Sequence, residues 1–242
     1  MHRFIVELNG AQVVALSENE AKHAVKVLRL KPGDPVSLSD GQGKLFEGAI
    51  DDIREQQVTV RVLGAMEDNE SPLTITLYQG LPKAEKMEFI VQKATELGVS
   101  RIVCVRMRRS VIKVGSQEAV KKSERYRRIA AEAVKQCGRA VVPVIEPAVT
   151  FAQAVEDMKN RQLMVMPWEE ARGVNLTAVK RAHPDFRDIG ILIGPEGGID
   201  KSEAECVMQS GGHSVTLGPR ILRTETAAVL SVGLIQQLWG DM

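Results

Sequence analysis

From Leu73 to the carboxyl end, short apolar runs alternate with longer stretches of helical periodicity, and that alternation confines the chain to folds in which parallel strands are joined by crossover helices. Leu73 to Gln79 reads as a strand, Ala84 to Leu97 as a helix ended by Gly98, Val99 to Val105 as a strand and Gln117 to Cys137 as a long helix ended by Gly138. Further strands are expected at Leu163 to Met166, Ile189 to Ile193 and Ser214 to Leu217, separated by helical stretches. The expected architecture is α/β, a mostly parallel sheet with helices on both faces.

The first seventy residues have a different texture. Short strands are expected at Phe4 to Leu8, Gln12 to Ala15, Val36 to Ser39, Lys44 to Asp51 and Val58 to Leu63, with Asp40-Gly41 as a turn. One helix interrupts them. Ser17 with Glu20 three residues on is a capping-box pattern, in which each side chain meets a free backbone N–H. These elements predict a small β-barrel domain over 1–70. Glu67 to Ser71, followed by Pro72, reads as a linker, because charge opposes burial and proline cannot donate to a ladder. The α/β domain then occupies 71–242, and a length of 242 residues suits two domains of unequal size.

Composition removes several classes. With 44% hydrophobic and 26% charged residues and no apolar run long enough to cross a bilayer, membrane readings drop out. Met1 to Gly10 lacks the basic head and apolar body of a signal peptide, so a cytoplasmic location is expected. Cys104, Cys137 and Cys206 are far apart, and His2, His23, His183 and His213 make no ligand spacing, so reduced thiols and no metal are expected. The net charge of +1 divides unevenly: −4 over 1–70, +9 over 83–139 and −4 over 140–242. A basic middle is a candidate footprint for a polyanion, though Lys121, Lys122, Arg125, Arg127 and Arg128 also fall where a solvated helix face would.

Two loops stand out as candidates for chemistry. Ile191 to Gly198 reads I-L-I-G-P-E-G-G, an apolar run that breaks into glycines able to admit a ligand close to the main chain. It lacks the G-x-G-x-x-G spacing and the phosphate-loop lysine, and Pro195 removes a donor, which argues against nucleotide triphosphatases and dinucleotide enzymes. The plain alternative is a chain reversal before a helix capped by Asp200 and Glu203. The second loop, Leu217 to Ala227, reads L-G-P-R-I-L-R-T-E-T-A and sets Arg223, Thr224, Glu225 and Thr226 at the start of an apolar last helix, Ala227 to Trp239. Charges carried toward an interior are costly unless paired or used. The structural alternative gives Glu225 to the helix N-terminus and Arg223 to a salt bridge with Glu225 or Glu196.

Together with K-x-E-K-M-E-x-x-x-Q-K-A-T-E-L-G-V from Lys83 to Val99, Q-C-G-R from Gln136 to Arg139 and H-x-x-x-V-L-R from His23 to Arg29, these loops resemble the RsmE family of bacterial 16S ribosomal RNA uracil-N3 methyltransferases. The resemblance runs from Arg3-Phe4 almost to the carboxyl end. Two positions depart from it: Lys135 stands where an acidic residue usually precedes Q-C-G-R, and Ile199 follows the glycines where an aromatic residue or leucine is common. The resemblance implies a SPOUT-type fold, with a PUA-like RNA-binding β-barrel ahead of a catalytic domain whose carboxyl end forms a trefoil knot. It also implies a homodimer.

The resemblance further implies S-adenosylmethionine as donor, held by Met166, Pro167, Ile193, Gly194, Glu196, Gly197, Gly198, Leu217, Gly218, Ile221, Leu222, Arg223 and Thr226, with no metal. Uracil N3 must lose a proton, and the charge spreads onto two ring carbonyl oxygens; Arg223 is assigned to those oxygens, Glu225 to the proton and Glu196 as a second candidate base. The target must be unpaired, because N3 lies on the Watson–Crick edge. Arg3, Arg29, Lys83, Lys86, Arg106 and Arg139 are candidates for the RNA backbone of 16S rRNA or the assembled 30S subunit. Two rivals remain: a SPOUT enzyme acting on a tRNA base or ribose hydroxyl, and a noncatalytic RNA-binding scaffold.

Overall fold

The computed structural model describes residues 1–8, 10–54, 57–67, 69–111 and 116–242. Asp68, inside the expected linker, lies outside the described residues. The chain divides into two compact units, one made of Met1–Glu70 with Val134–Val142 and the other of Ser71–Ala133 with Pro143–Met242.

The first unit is a five-stranded sheet in the order β1-β3-β4-β5-β2, formed by β1 (His2–Ile5), β2 (Val13–Ala15), β3 (Pro35–Ser39), β4 (Leu45–Arg54) and β5 (Gln57–Met66). β1 runs parallel to β3 and the other pairs are antiparallel. Alternate side chains of these strands bury Phe4, Val36, Leu38, Ile50, Val58 and Val60 against Ala21 and Ala24 of the helical segment. That segment is α1 (Glu18–Lys22), continued by a π-helical turn over His23–Val27. Only half of the expected capping box forms. The Ser17 hydroxyl accepts the Glu20 N–H at 3.4 Å, but the Glu20 carboxylate instead accepts from Lys135 Nζ at 2.8 Å, with both side chains largely buried. Lys135, a departure from the family pattern, therefore has a local partner.

Residues 134–142 close this unit through Glu70. Its carboxylate accepts from the backbone N–H groups of Ala140 (2.7 Å) and Val141 (3.0 Å) and pairs with Arg139 at 2.6 Å. Arg3 donates to the carbonyls of Gly138 and Arg139, and the Ser39 hydroxyl donates to Ala140 O at 2.9 Å.

The second unit carries a six-stranded, fully parallel sheet in the order β11-β9-β10-β6-β7-β8. Its strands are β6 (Thr74–Gly80), β7 (Arg101–Arg106), β8 (Val144–Thr150), β9 (Leu163–Pro167), β10 (Asp188–Ile193) and β11 (His213–Val215). Its helices are α2 (Ala84–Glu96), α3 (Ser116–Cys137, whose end belongs to the first unit), α4 (Phe151–Met158), α5 (Leu176–Ala182), α6 (Lys201–Gln209) and α7 (Thr224–Trp239). β9 and, after Asp188, β10 are apolar without a polar alternate, as a sheet covered on both faces requires. One face packs Tyr78, Val103, Met166 and Leu192 against α4 and α6, while α7 lies against α2, α5, β6 and β10.

Candidate active site

Parallel strands deliver their following loops to the same end of the sheet, and the neighbours β11, β9 and β10 do so side by side. The loops after them wall a cleft of about 920 Å³. Pro167–Gly173 follows β9, Ile193–Ile199 follows β10 and Thr216–Thr224 follows β11; Lys86 from α2 and Ala227 from α7 complete the lining. The Gly194–Gly198 turn is closed by the Gly198 N–H on Pro195 O at 3.0 Å, and Gly198 has the positive φ of +75° that glycine tolerates. Gly80, at the end of β6, is the one residue type that fits beneath Pro195: a Cβ there would lie 2.7 Å from both Pro195 Cδ and Pro195 N.

Two buried side chains tie the loops together. Gln79 Nε2 donates to Gly80 O at 2.9 Å and to the Thr224 hydroxyl at 3.0 Å, and that hydroxyl donates to Gly194 O at 2.6 Å. The end of β6, the turn after β10 and the start of α7 are thus one hydrogen-bonded unit. At its rim Lys86 Nζ lies 3.3 Å from Glu225 Oε2 and 3.6 Å from Glu196 Oε1. Burial pushes the Glu196 carboxyl up, but the Lys83 N–H (3.0 Å) and the Lys86 ammonium outweigh it and hold the group below its ordinary value. Glu196 is therefore an anion at neutral pH.

An RNA methyltransferase domain model matches residues 69–236, and an RNA methyltransferase PUA domain model matches 16–63. Ribosomal RNA small subunit methyltransferase E of Bacillus subtilis is 31% identical over 97% of this chain and 96% of its own length. The chain belongs to the ribosomal RNA small subunit methyltransferase E family. The Aquifex aeolicus member is 30% identical over 97% of this methyltransferase and 99% of the relative. A crystal structure of the Neisseria gonorrhoeae member bound to S-adenosyl methionine has a TM-score of 0.90 at 34% identity, covering 100% of this chain and 99% of that one.

The cleft of this methyltransferase gathers Pro167, Ile193, Gly194, Glu196, Gly197, Gly198, Leu217, Gly218, Ile221, Leu222 and Arg223. Met166 does not reach it. Its side chain is fully buried in the core beneath β9, because alternate strand residues point to opposite faces. Glu225 and Thr226 are also off the lining, since α7 turns them away: Glu225 toward Lys86 and Thr226 to solvent. Ile199 sits under the turn in the core, 2% exposed, which accounts for an aliphatic residue there. Arg223 is exposed at the start of α7 and forms neither of the salt bridges considered for it, because Lys86 takes both carboxylates.

The expected RNA-contacting set separates. Arg29, Lys83 and Arg106 keep exposed or half-exposed side chains, with Arg106 lining a separate shallow depression beside Thr150 and Ser202. Lys86 faces Glu196 on the cleft wall and Glu225 behind it, Arg139 is buried on Glu70, and Arg3 donates to carbonyl oxygens, so these three already have partners within the protein. Much of the basic middle is likewise consumed: Arg125 pairs with Glu88, Lys122 with Glu118, and Arg127 donates to Ile145 O. Sequence reasoning missed Trp168, Glu169, Arg172 and Arg220 on the cleft wall, and also Gln79. Trp168 and Glu169 directly follow a strand whose end had been singled out, and that position was the available signal.

Proposed function

We propose that this chain transfers a methyl group from S-adenosylmethionine to N3 of an unpaired uracil in the 16S ribosomal RNA of the small subunit. The observation that carries the reading is the convergence of three strand-end loops on one cleft that also holds Arg223 and Glu196. The residues fit that donor: Pro167, Trp168, Leu217, Ile221 and Leu222 offer apolar surface for a purine, the glycine turn opens the main chain, and Glu169 and Glu196 set negative charge beside a cation. When bound, S-adenosylmethionine supplies an electrophilic methyl carbon on a sulfonium.

The protein residues would hold the uracil nitrogen behind that carbon and manage its charge. Arg223, with no ion pair among the described residues, donates to the ring carbonyl oxygens as N3 loses its proton. Of the two carboxylates, Glu196 lines the cleft and Glu225 stands behind it, so Glu196 is the better-placed proton acceptor. Its low pKa makes it a weak base, and the Arg223 charge compensates by easing loss of the N3 proton. Arg172 and Arg220 on the rim, with Arg29, Lys83 and Arg106, steer the RNA backbone, and the PUA unit grips neighbouring RNA.

Incubation with labelled donor and small subunits lacking the modification, followed by digestion to nucleosides, tests the reading. Label in 3-methyluridine supports it; label in a ribose or only in tRNA, or none at all, overturns it. We further infer a homodimer in the cytoplasm. Phe89 on α2 and Leu230 on α7 are 46% and 38% exposed on two helices that pack together, which is apolar surface in need of cover. Sedimentation as a monomer at micromolar concentration would remove the dimer. The trefoil knot belongs to the same family reading.

A further inference from the structure

Lys86 is the one cation of α2 that enters the cleft, and it meets carboxylates from two different segments. Glu196 Oε2 and Glu225 Oε2 are sealed from solvent without a hydrogen-bond donor; Glu196 Oε1 accepts the Lys83 N–H at 3.0 Å, and the Lys86 ammonium is the cation that both carboxylates share. The side chains of Lys83, which precedes α2, and of Glu85 within it are exposed, and the other cations lining the cleft are Arg172, Arg220 and Arg223. A lysine suits this place because a compact charge on a flexible stem can stand between two carboxylates without the fixed fork of a guanidinium.

We propose that Lys86 is a positioning residue for methyl transfer: by occupying both Glu196 and Glu225 it leaves the Arg223 guanidinium unpaired for the uracil oxygens. This rests on the reading of the reaction given above. With Lys86 in place the three groups carry a net charge of −1; without it they carry −2. The uncompensated carboxylates would then draw Arg223 to themselves and oppose the negative charge that develops on the pyrimidine. The same count says how to repair the loss. Neutralising Glu225, which lies off the cleft lining, returns the wall to −1 while leaving Glu196 in place.

The test compares K86M and K86M/E225Q with the wild-type protein, using single-turnover methylation of small subunits at saturating donor and urea unfolding of the donor-free protein at about pH 5 and pH 8. K86M should be slower by about 10- to 100-fold, and K86M/E225Q should recover most of that rate. In unfolding, the K86M deficit should be larger at the higher pH, where its stranded carboxylates must ionise, and the double variant should lose most of that pH dependence. K86M at the wild-type rate, a double variant as slow as K86M, or a deficit equal at both pH values would each overturn the proposal. If K86M fails to fold, the double variant alone decides by its rate. A wild-type protein that binds donor yet methylates no uridine sinks the reaction itself, while the unfolding comparison still reports whether Lys86 balances the two carboxylates.

Discussion

At the residue scale, the cleft depends on a few polar side chains whose neighbours are distant in sequence. Gln79 closes a strand that reads as plain core, yet its amide anchors the Thr224 hydroxyl and through it the carbonyl of Gly194. Gln79→Leu strands the partners of that amide inside the protein and should cost about 2 kcal/mol in chemical denaturation. Donor affinity measured by calorimetry should fall with it, because two cleft loops lose their tie. Glu196 supplies a pH dependence whose sign is set by its lowered pKa. Its contribution to stability is present above the ordinary value of 4.5 and is lost as pH falls through the lower folded value. Urea midpoints of Glu196→Gln should therefore decline less steeply than those of the wild-type protein between about pH 5 and pH 3.

At the element scale, strands and helices with uninterrupted patterns were legible, and those that break a pattern were not. β6, α2, β7, α3, β9 and β10 lie within a few residues of their expected positions, because apolar runs and glycine stops are local signals. β8 was missed. It is an edge strand containing Pro147, and its register with β7 shifts between Val103 and Val105, where a residue without an N–H is accommodated. The helix after it carries a complete capping box: Thr150 Oγ1 accepts from Gln153 N–H at 3.3 Å, and Gln153 Oε1 accepts from Thr150 N–H at 3.0 Å. Thr150→Ala should cost about 1 kcal/mol, a lowering of Tm by about 2–4 °C in a thermal melt. In α1 the same motif is half satisfied, since Lys135 draws Glu20 away from the cap.

At the scale of the whole molecule, the first unit is not a continuous stretch of chain. Glu70 is satisfied by Arg139, Ala140 and Val141, and Arg3 and Ser39 by carbonyls from 138–140. A fragment of residues 1–70 lacks all of these partners and should show weak, non-cooperative unfolding by circular dichroism, whereas adding 134–142 as a peptide should raise its stability. The sequence alone settled the α/β class, the strand-rich character of the first seventy residues, the two glycine loops and the family, because each is written in local periodicity or in motifs of short span. Only the tertiary structure decided that Lys86 and Arg139 serve carboxylates, that Met166 lies in the core while Trp168 and Arg220 reach the cleft, and that Arg223 has no ion pair among the described residues. Those outcomes are competitions among charges and side-chain directions far apart in sequence, and no local pattern records which partner wins.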